Sequence, residues 1–188
     1  MKDPLQICLS GGRGQGLITA AMILAEAALL DGKNVLQTQS DGPDAALDAS
    51  EDVELGATQS AVILSKKKIT FPDVTKPDVW LCLSQDAFGK YFPQANCDTL
   101  IILDSTNVEC QAAARSTYQL PITETAARVG NRRLANLVAL GAMNELVSLV
   151  TPASLREAIS KCVPQRYRAL NERALEAGEE LLEVYEPD

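Results

Sequence analysis

The feature that most constrains the fold is a glycine-rich turn between a short apolar run and an alanine-rich segment. The apolar run, residues 5–10, leads directly into Gly11-Gly12-Arg13-Gly14-Gln15-Gly16. Behind the turn, apolar residues recur at the three-and-four spacing of one helix face, at Leu17, Ala20, Ala21, Leu24, Ala27 and Ala28. The pattern predicts a strand, a tight turn and a helix that ends near Asp31-Gly32, where glycine suits a helix C-terminus.

Apolar runs further along the chain predict that this unit opens a parallel sheet. A strand-like segment at 35–38 follows the helix and completes the first strand–helix–strand unit of a doubly wound sheet. Further strands are predicted at 60–65, 78–84, 99–104 and 118–121. The longer of these runs are nearly continuous in hydrophobicity, which is typical of strands covered on both faces. We predict an α/β fold with a mostly parallel, doubly wound, Rossmann-like sheet in residues 1–122 of a single domain.

The remaining residues, 123–188, are predicted to be helical and to pack on the sheet. Three segments are expected, at about 123–149, 152–162 and 165–184. Thr151-Pro152 supplies a capping residue followed by proline at the first helical position. The last segment carries an apolar stripe at Tyr167, Leu170, Ala174, Ala177 and Leu181. Core packing is the favoured interpretation of this stripe, and a partner-subunit interface is the alternative.

Charge and cysteine usage limit the partners and the compartment. The formal net charge is −8, which disfavours nucleic acid or an anionic membrane as a partner. No secretory signal is evident, and no apolar stretch approaches the roughly 18 residues needed to span a bilayer. The five cysteines are scattered without C-x-x-C spacing, which suits reduced thiols. We expect a cytoplasmic protein with neither a nucleic-acid nor a membrane partner.

The glycine turn is the candidate ligand site. Such a turn lets backbone N–H groups approach a ligand, and the helix N-terminus adds partial positive charge, so phosphate is the natural guest. Arg13 offers an additional cation. A tight strand-to-helix connection that binds no ligand is the alternative. We take the six turn residues as candidate cofactor-binding residues.

Two familiar nucleotide motifs do not fit this turn. A P-loop requires lysine and then serine or threonine where Leu17 and Ile18 stand, so an ATPase is not expected. The dinucleotide pattern G-x-G-x-x-G/A, read from Gly12, ends in Leu17. Asp41, just after the second predicted strand, does stand where a ribose-binding carboxylate is expected. A stand-alone nicotinamide or flavin binder therefore stays open.

Catalytic machinery is not evident in the chain itself. There is no histidine, which removes the commonest general base and the commonest metal ligand. The cysteine spacings do not match iron–sulfur or zinc sites, and no G-x-S-x-G motif occurs. We therefore predict no catalytic residue and no metal site, and a chain that serves as a ligand-binding or interaction subunit.

Several motifs, in order along the chain, resemble the γ domain of 2-oxoacid:ferredoxin oxidoreductases, the pyruvate/ketoisovalerate oxidoreductase γ type. The glycine turn and its alanine-rich helix come first. The further matching segments are Asp41-Gly42-Pro43-Asp44, Gly56-Ala57-Thr58, residues 62–65, residues 77–85 with Tyr91, Pro121-Ile122, Gly130-Asn131, residues 136–142, and Asn171 with Ala174 and Gly178. The resemblance extends over nearly the whole of 1–188, and the ordered combination is more specific than any one motif.

The resemblance implies a role in a larger enzyme. The family converts a 2-oxoacid, coenzyme A and oxidised ferredoxin into acyl-CoA, carbon dioxide and reduced ferredoxin. Thiamine diphosphate, magnesium and the iron–sulfur clusters are implied to lie on partners, namely thiamine-binding and other catalytic subunits and a ferredoxin-like subunit. This chain is implied to support assembly and to contribute to the coenzyme A site, with Asp41, Gly42 and Pro43 joining the turn. The resemblance does not fix which oxoacid is used or whether the isolated chain forms a homodimer.

Departures from the family pattern leave coenzyme A binding open. Arg13 replaces the third glycine of the turn, and Asp41 replaces a tyrosine. Residues 41–58 carry six acids and no base, the usual composition of a solvated loop, and like charge disfavours phosphate nearby. Either Arg13 and Lys66-Lys67-Lys68 compensate, or the acyl acceptor is handled differently. A solvated turn is the favoured interpretation of the lysine run itself. A pure assembly module that binds no ligand is therefore the third function class, beside the oxidoreductase subunit and the stand-alone nucleotide binder.

Overall fold

The computed structural model describes residues 2–41, 57–70, 74, 76–110 and 116–183. The strands are β1 (Leu5–Gly12), β2 (Asn34–Asp41), β3 (Ala57–Ser65), β4 (Val79–Cys82), β5 (Leu100–Asp104) and β6 (Thr117–Leu120). The helices are α1 (Leu17–Leu30), α2 (Gln85–Tyr91), α3 (Ile122–Val129), α4 (Ala135–Val147), α5 (Pro152–Cys162) and α6 (Arg168–Glu180). Each strand and each helix of the sheet region overlaps a segment that the sequence pattern or the family resemblance predicted.

The described strands form one sheet in the order β2-β3-β1-β4-β5-β6. The neighbours β1 and β4, β4 and β5, and β5 and β6 are parallel, whereas β3 runs antiparallel to both β1 and β2. The predicted α/β fold with a mostly parallel sheet is therefore confirmed. The first strand–helix–strand unit differs in one respect, because β3 is inserted between β1 and β2. A strand buried on both faces has the same hydrophobic pattern in either direction, so the sequence did not reveal this.

Alternate residues of the strands build two hydrophobic cores on the two faces of the sheet. The larger core joins Ile7, Leu9 and Leu81 to helices α1 and α3 to α6. The smaller core, under α2, contains Trp80, which is 1% exposed and stacks against Phe88 at 6.0 Å between ring centroids. Helices pack against both faces of the sheet and hold its strands in place. The carboxyl end of β1, where the glycine turn lies, therefore has a defined position.

The helical C-terminal part contains one more break than predicted. The segment expected at 123–149 is two helices, α3 and α4, and not one. Gly130 adopts a φ of 132°, which ends α3, and the side chain of Asn131 accepts a hydrogen bond from the N–H of Arg133 at 3.0 Å. The predicted start of α5 is confirmed, because Thr151 caps the helix by accepting a hydrogen bond from the N–H of Ser154 at 3.3 Å.

Helices α4 and α6 approach each other closely because each presents a glycine to the other. A β-carbon at Gly141 would collide with the carbonyl oxygen of Leu175, and one at Gly178 would collide with that of Val138. The predicted apolar stripe of α6 accordingly packs on the core at Ala174, which is fully buried. The core-packing interpretation of that stripe is confirmed for its central part.

Within the described part of the chain, none of the helices combines the length and the apolar character needed to cross a bilayer.

Candidate functional site

The glycine turn lies at the carboxyl end of β1 and at the N-terminus of α1. Gly14 and Gly16 have φ values of 84° and 75°, in the left-handed region that side chains disfavour. Arg13 does not have a positive φ, so a side chain is tolerated at this place in the turn. The departure from the family's glycine at position 13 therefore costs no backbone strain, and the Arg13 side chain is exposed.

Gln15 holds the turn in shape. Its Oε1 accepts a hydrogen bond from the N–H of Gly12 at 2.7 Å, and its Nε2 donates to the carbonyl oxygen of Leu83 at 3.1 Å. A β-carbon at Gly11 would lie 2.4 Å from the same Oε1, so a side chain there would displace the Gln15 amide from its hydrogen bond. Both ends of the Gln15 amide, and the N–H of Gly12, are thus engaged within the protein and not directed at a ligand.

The first turn of α1 offers backbone donors. Gly16 is the N-cap residue and provides no side-chain cap, so the N–H groups of Leu17, Ile18 and Thr19 have no acceptor among the described residues. Asn136 of α4 supports this geometry, because its Nδ2 donates to the carbonyl oxygen of Gly16 at 2.9 Å. The open N–H groups and the helix dipole make this end of α1 suitable for an anion.

Two clefts lie on either side of the turn and share Gly14 as a wall. The first, which we call the β2-side cleft, has a volume of about 310 Å³ and is lined by Gly12, Arg13, Gly14, Gly16, Leu17, Ile18, Thr19, Gln39 and Thr58. The second, which we call the α4-side cleft, has a volume of about 250 Å³ and is lined by Gly14, Gln15, Asn107, Thr123, Arg132, Arg133 and Ala135. A ligand longer than either cleft can therefore pass over Gly14.

Three arginines surround this turn. Arg13 lines the β2-side cleft, and Arg132 and Arg133 line the α4-side cleft. All three side chains are exposed, and none has a hydrogen-bond or ion-pair partner among the described residues. A planar guanidinium group can donate two parallel hydrogen bonds to the oxygens of one phosphate. Arginines without a protein partner, beside open backbone N–H groups, therefore favour a phosphorylated ligand.

The lysine run is not part of this site. Antiparallel pairing of β1 and β3 places Ala57 opposite Gly12 and Leu64 opposite Leu5, so Lys66 lies at the far end of the sheet. There its backbone N–H donates to Asp3 at 3.1 Å. The alternative in which Lys66-Lys67-Lys68 supply compensating charge at the turn is therefore not supported, and the three exposed lysines fit the favoured interpretation of a solvated turn. Arg132 and Arg133 are the cations that the fold brings there.

Sequence reasoning missed Arg132 and Arg133. They follow Gly130-Asn131 and are separated by Leu134 from α4, which packs beside the turn through Asn136. The signal available in the sequence was a pair of adjacent arginines just before an apolar helix. A single helix over 123–149 gives these side chains no defined relation to the turn, whereas the break between α3 and α4 places them beside it.

Asp104, at the end of β5, shapes the α4-side cleft. Its buried carboxylate accepts hydrogen bonds from the N–H of Thr123 at 3.1 Å and from Nδ2 of Asn107 at 2.7 Å. It also accepts from the N–H of Thr106 at 3.2 Å. Because its oxygens are saturated, Asp104 positions Asn107 and Thr123 along the cleft wall and is not arranged to act as a general base.

The buried cysteines are not arranged as nucleophiles. Burial raises the pKa of Cys8 to about 12, against the opposing effect of its hydrogen bond with Gln59, and burial raises the pKa of Cys82 to about 11. Both remain protonated thiols at neutral pH. In the described ranges, no group of three histidine, cysteine or acidic side chains is close enough to hold a metal ion.

Of the acidic segment 41–58, the structure describes only Asp41, Ala57 and Thr58. Gly42 and Pro43 lie outside the described residues, and of Asp41 only the backbone is described. Asp41 ends β2 opposite Thr58 of β3, which lines the β2-side cleft. The end of β2 therefore reaches the same edge of the sheet as the glycine turn.

Comparison with known proteins identifies the family. Residues 6–181 match the family model described as pyruvate ferredoxin/flavodoxin oxidoreductase. The chain belongs to this family. It is 39% identical to the 2-oxoglutarate synthase subunit KorC of Archaeoglobus fulgidus, over 79% of this chain and 74% of the relative. It is 36% identical to KorC of Methanocaldococcus jannaschii, over 94% of this chain and 92% of the relative.

Longer relatives contain the same unit as one part of a larger polypeptide. The ketoisovalerate oxidoreductase subunit VorA of Methanothermobacter thermautotrophicus is 29% identical over 94% of this chain, but over only 36% of VorA. Methanothermobacter VorA is thus much longer than the segment that this chain matches.

Solved structures agree with this assignment. The γ subunit of a keto/oxoacid ferredoxin oxidoreductase from Geobacter sulfurreducens superposes with a TM-score of 0.81 at 35% identity, covering 96% of this chain and 99% of the other. The 2-oxoglutarate:ferredoxin oxidoreductase of Magnetococcus marinus has the same fold, with a TM-score of 0.83 at 22% identity, covering all of this chain and 32% of the other. The resemblance to the γ subunit and the predicted fold are confirmed.

Proposed function

We propose that this chain is the γ subunit of a 2-oxoacid:ferredoxin oxidoreductase and that 2-oxoglutarate is its oxoacid. The observation that carries the proposal is similarity over nearly the full length of both chains, 94% of this one and 92% of the Methanocaldococcus 2-oxoglutarate synthase subunit. A stand-alone dinucleotide binder is not favoured, because the full-length relatives are subunits of oxoacid oxidoreductases. Thiamine diphosphate, magnesium and the iron–sulfur clusters belong to the partner subunits in this proposal.

The glycine turn binds the phosphate groups of coenzyme A in this proposal. Support comes from the three open N–H groups of α1 and from the guanidinium groups of Arg13, Arg132 and Arg133, which have no partner among the described residues. The structure of the Magnetococcus relative was solved with 2-oxoglutarate, coenzyme A and succinyl-CoA bound. Gly11, Gly12 and Gln15 shape the turn, and Gly14 and Gly16 give the ligand close access to the backbone. Asp41, Gly42 and Pro43 are proposed as further ligand contacts on the family resemblance alone.

The role of the chain in the reaction is to hold the acyl acceptor. The partner subunits carry out the decarboxylation of the oxoacid and pass electrons to ferredoxin, while the acyl group is transferred to the thiol of coenzyme A. Fixing the phosphate end of coenzyme A at the turn orients its long arm, which lowers the entropic cost of bringing the thiol to the acyl group.

The test is a kinetic comparison in the assembled complex. Arg132→Gln and Arg133→Gln, alone and together, remove charge without adding bulk, and Arg13→Gln does the same on the other side of Gly14. Loss of a charge-assisted phosphate contact costs about 1.5–3 kcal/mol, so the KM for coenzyme A should rise roughly tenfold to a hundredfold. The KM for 2-oxoglutarate should not change.

Arg173→Gln is the matched control, because Arg173 is exposed on α6 and lines neither cleft. Its KM for coenzyme A should equal that of the wild type. An unchanged KM in all the turn variants contradicts the coenzyme A site but leaves the subunit assignment standing.

A further inference from the structure

The outer face of α1 is apolar and exposed. Thr19 and Glu26 are the sole polar side chains among its 14 residues. Ile18, Met22 and Leu29 are 44%, 49% and 56% exposed. Together with the half-buried Ala25 they stand at positions i, i+4, i+7 and i+11, so they form one line along the helix. We call these four residues the α1 stripe.

No described element of the fold covers the α1 stripe. The opposite face of α1 is buried against the large core, at Ala20, Ala21, Leu24, Ala27 and Ala28. One flank is held to α5 by the ion pair between Glu26 and Lys161, at 3.0 Å. A helix that is apolar on all sides is normally buried on all sides, and exposed apolar patches of this kind mark interaction surfaces.

The lengths of the relatives indicate what covers the stripe. In VorA, the matched segment makes up 36% of the polypeptide, so the same polypeptide carries a larger remainder. The KorC subunits match over 74–92% of their length, which leaves no room for a remainder of that size. A polypeptide that corresponds to the VorA remainder would therefore be a separate partner of a KorC-type unit, and permanent interfaces of this kind are more apolar than transient ones.

We propose that the α1 stripe is the docking surface for the oxidoreductase polypeptide that corresponds to the remainder of VorA. This inference rests on the proposed function. Ile18, the first residue of the stripe, also lines the β2-side cleft, so a polypeptide seated on the stripe adds a wall beside Arg13 and Leu17. Assembly thereby encloses the end of the cleft and excludes water from the phosphate contacts.

The experiment measures assembly with the full chain. It is co-expressed with the other polypeptides of the oxidoreductase of its own organism, and the one that corresponds to the VorA remainder carries an affinity tag. Recovery of the γ chain on the tag is compared for wild type, Met22→Glu and Leu29→Glu. Glutamate suits an exposed helix position, so the isolated variants should keep the wild-type circular dichroism spectrum. The proposal expects recovery to fall about tenfold, since a charge buried in an apolar interface costs more than 1.4 kcal/mol.

Three further variants complete the design. Met22→Ala and Leu29→Ala keep the helix propensity and should lower recovery in the same direction by a smaller factor, which separates lost docking from lost folding. Tyr167→Glu is the control, because Tyr167 is an equally exposed apolar side chain (46%) on another element. Its recovery should match that of the wild type.

The outcomes distinguish this inference from the proposed function. Recovery of the Glu variants at the wild-type level overturns the docking surface alone. A wild-type dimer of the isolated chain that Met22→Glu makes monomeric, with the complex intact, assigns the stripe to a second copy and also overturns it. Failure of the wild-type chain to co-purify overturns the proposed function together with this inference.

Discussion

At the scale of single residues, Gln15 decides which backbone groups of the turn remain for a ligand. Its side chain accepts a hydrogen bond from the N–H of Gly12 and donates one to the carbonyl oxygen of Leu83. These two bonds connect the end of β1 to the residue that follows β4. The donors left over are those at the start of α1 and the guanidinium groups around Gly14. The side chains left to meet a ligand near this turn are therefore arginines, whereas the amide of Gln15 is engaged within the protein.

Asp31 gives a residue-scale prediction about pH. It joins the end of α1 to the start of α5, because its carboxylate accepts hydrogen bonds from the N–H of Thr151 at 2.8 Å and from Oγ of Ser154 at 2.6 Å. Burial alone acts to raise the pKa of Asp31, but the hydrogen bonds from Ser154 and Thr151 and the charge of Lys33 outweigh it and hold the pKa below 3.8. The ionised form is thus stabilised by folding.

Asp31→Asn should lower the free energy of unfolding by about 1–2 kcal/mol at pH 7, because hydrogen bonds to a charged group are lost. A lowered folded-state pKa stabilises the protein above the unfolded value and loses that contribution as the pH falls through the folded value. The difference between wild type and variant should therefore be constant above about pH 5 and should shrink below pH 3.8. Urea unfolding at pH 7 and pH 3 measures it, with Asp98→Asn at an exposed loop position as the control. A difference that does not depend on pH contradicts this account.

Arg132 and Arg133 show which side chains of the candidate site could not be predicted from the sequence. The glycine turn and Arg13 were predicted from residue types and spacing. Arg132 and Arg133 lie more than a hundred positions away, and only the packing of α4 against Gly16 brings them to the turn. Lys66-Lys67-Lys68, in contrast, lie far from the turn. They follow the end of β3 that pairs with the start of β1, at the opposite end of the sheet.

At the scale of elements, the contact between α4 and α6 depends on two glycines. Gly141→Ala and Gly178→Ala should each lower the free energy of unfolding by about 1–3 kcal/mol, because the added methyl group meets a backbone carbonyl of the other helix. Gly89 of α2 is the matched control, since nothing lies within 4 Å of a β-carbon there. Gly89→Ala should stabilise the protein by about 0.5–1 kcal/mol through helix propensity alone.

Chemical or thermal unfolding of the three variants separates the two effects. If Gly141→Ala or Gly178→Ala stabilised the protein as Gly89→Ala is expected to, the helices would not be in the close contact described.

Element identity was largely predictable here, and element direction was not. Continuous branched runs mark β3, β4 and β5 as buried strands, and the cap at Thr151 marks the start of α5. The antiparallel insertion of β3 between β1 and β2 leaves no trace in hydrophobicity, because its residues are buried on both faces. The break between α3 and α4 was visible as Gly130-Asn131, but glycine also occurs inside helices, as Gly141 does in α4.

At the scale of the whole molecule, the glycine turn, the two clefts and the α1 stripe lie next to one another. Ile18 belongs both to the stripe and to the β2-side cleft, and Gly14 belongs to both clefts. A chain of net charge −8 thus places Arg13, Arg132 and Arg133 around a turn that adjoins an apolar helix face. This arrangement suits a subunit that holds a phosphorylated acyl acceptor at an interface with the subunits that carry out the redox chemistry.

The most direct test of this account is reconstitution of the oxidoreductase with and without this chain. The other subunits from the same organism are assayed for coenzyme-A-dependent reduction of a low-potential dye by 2-oxoglutarate. Activity should appear only when this chain is added, and the Arg132→Gln/Arg133→Gln variant should restore it with a raised KM for coenzyme A. Full activity of the other subunits in the absence of this chain would contradict it.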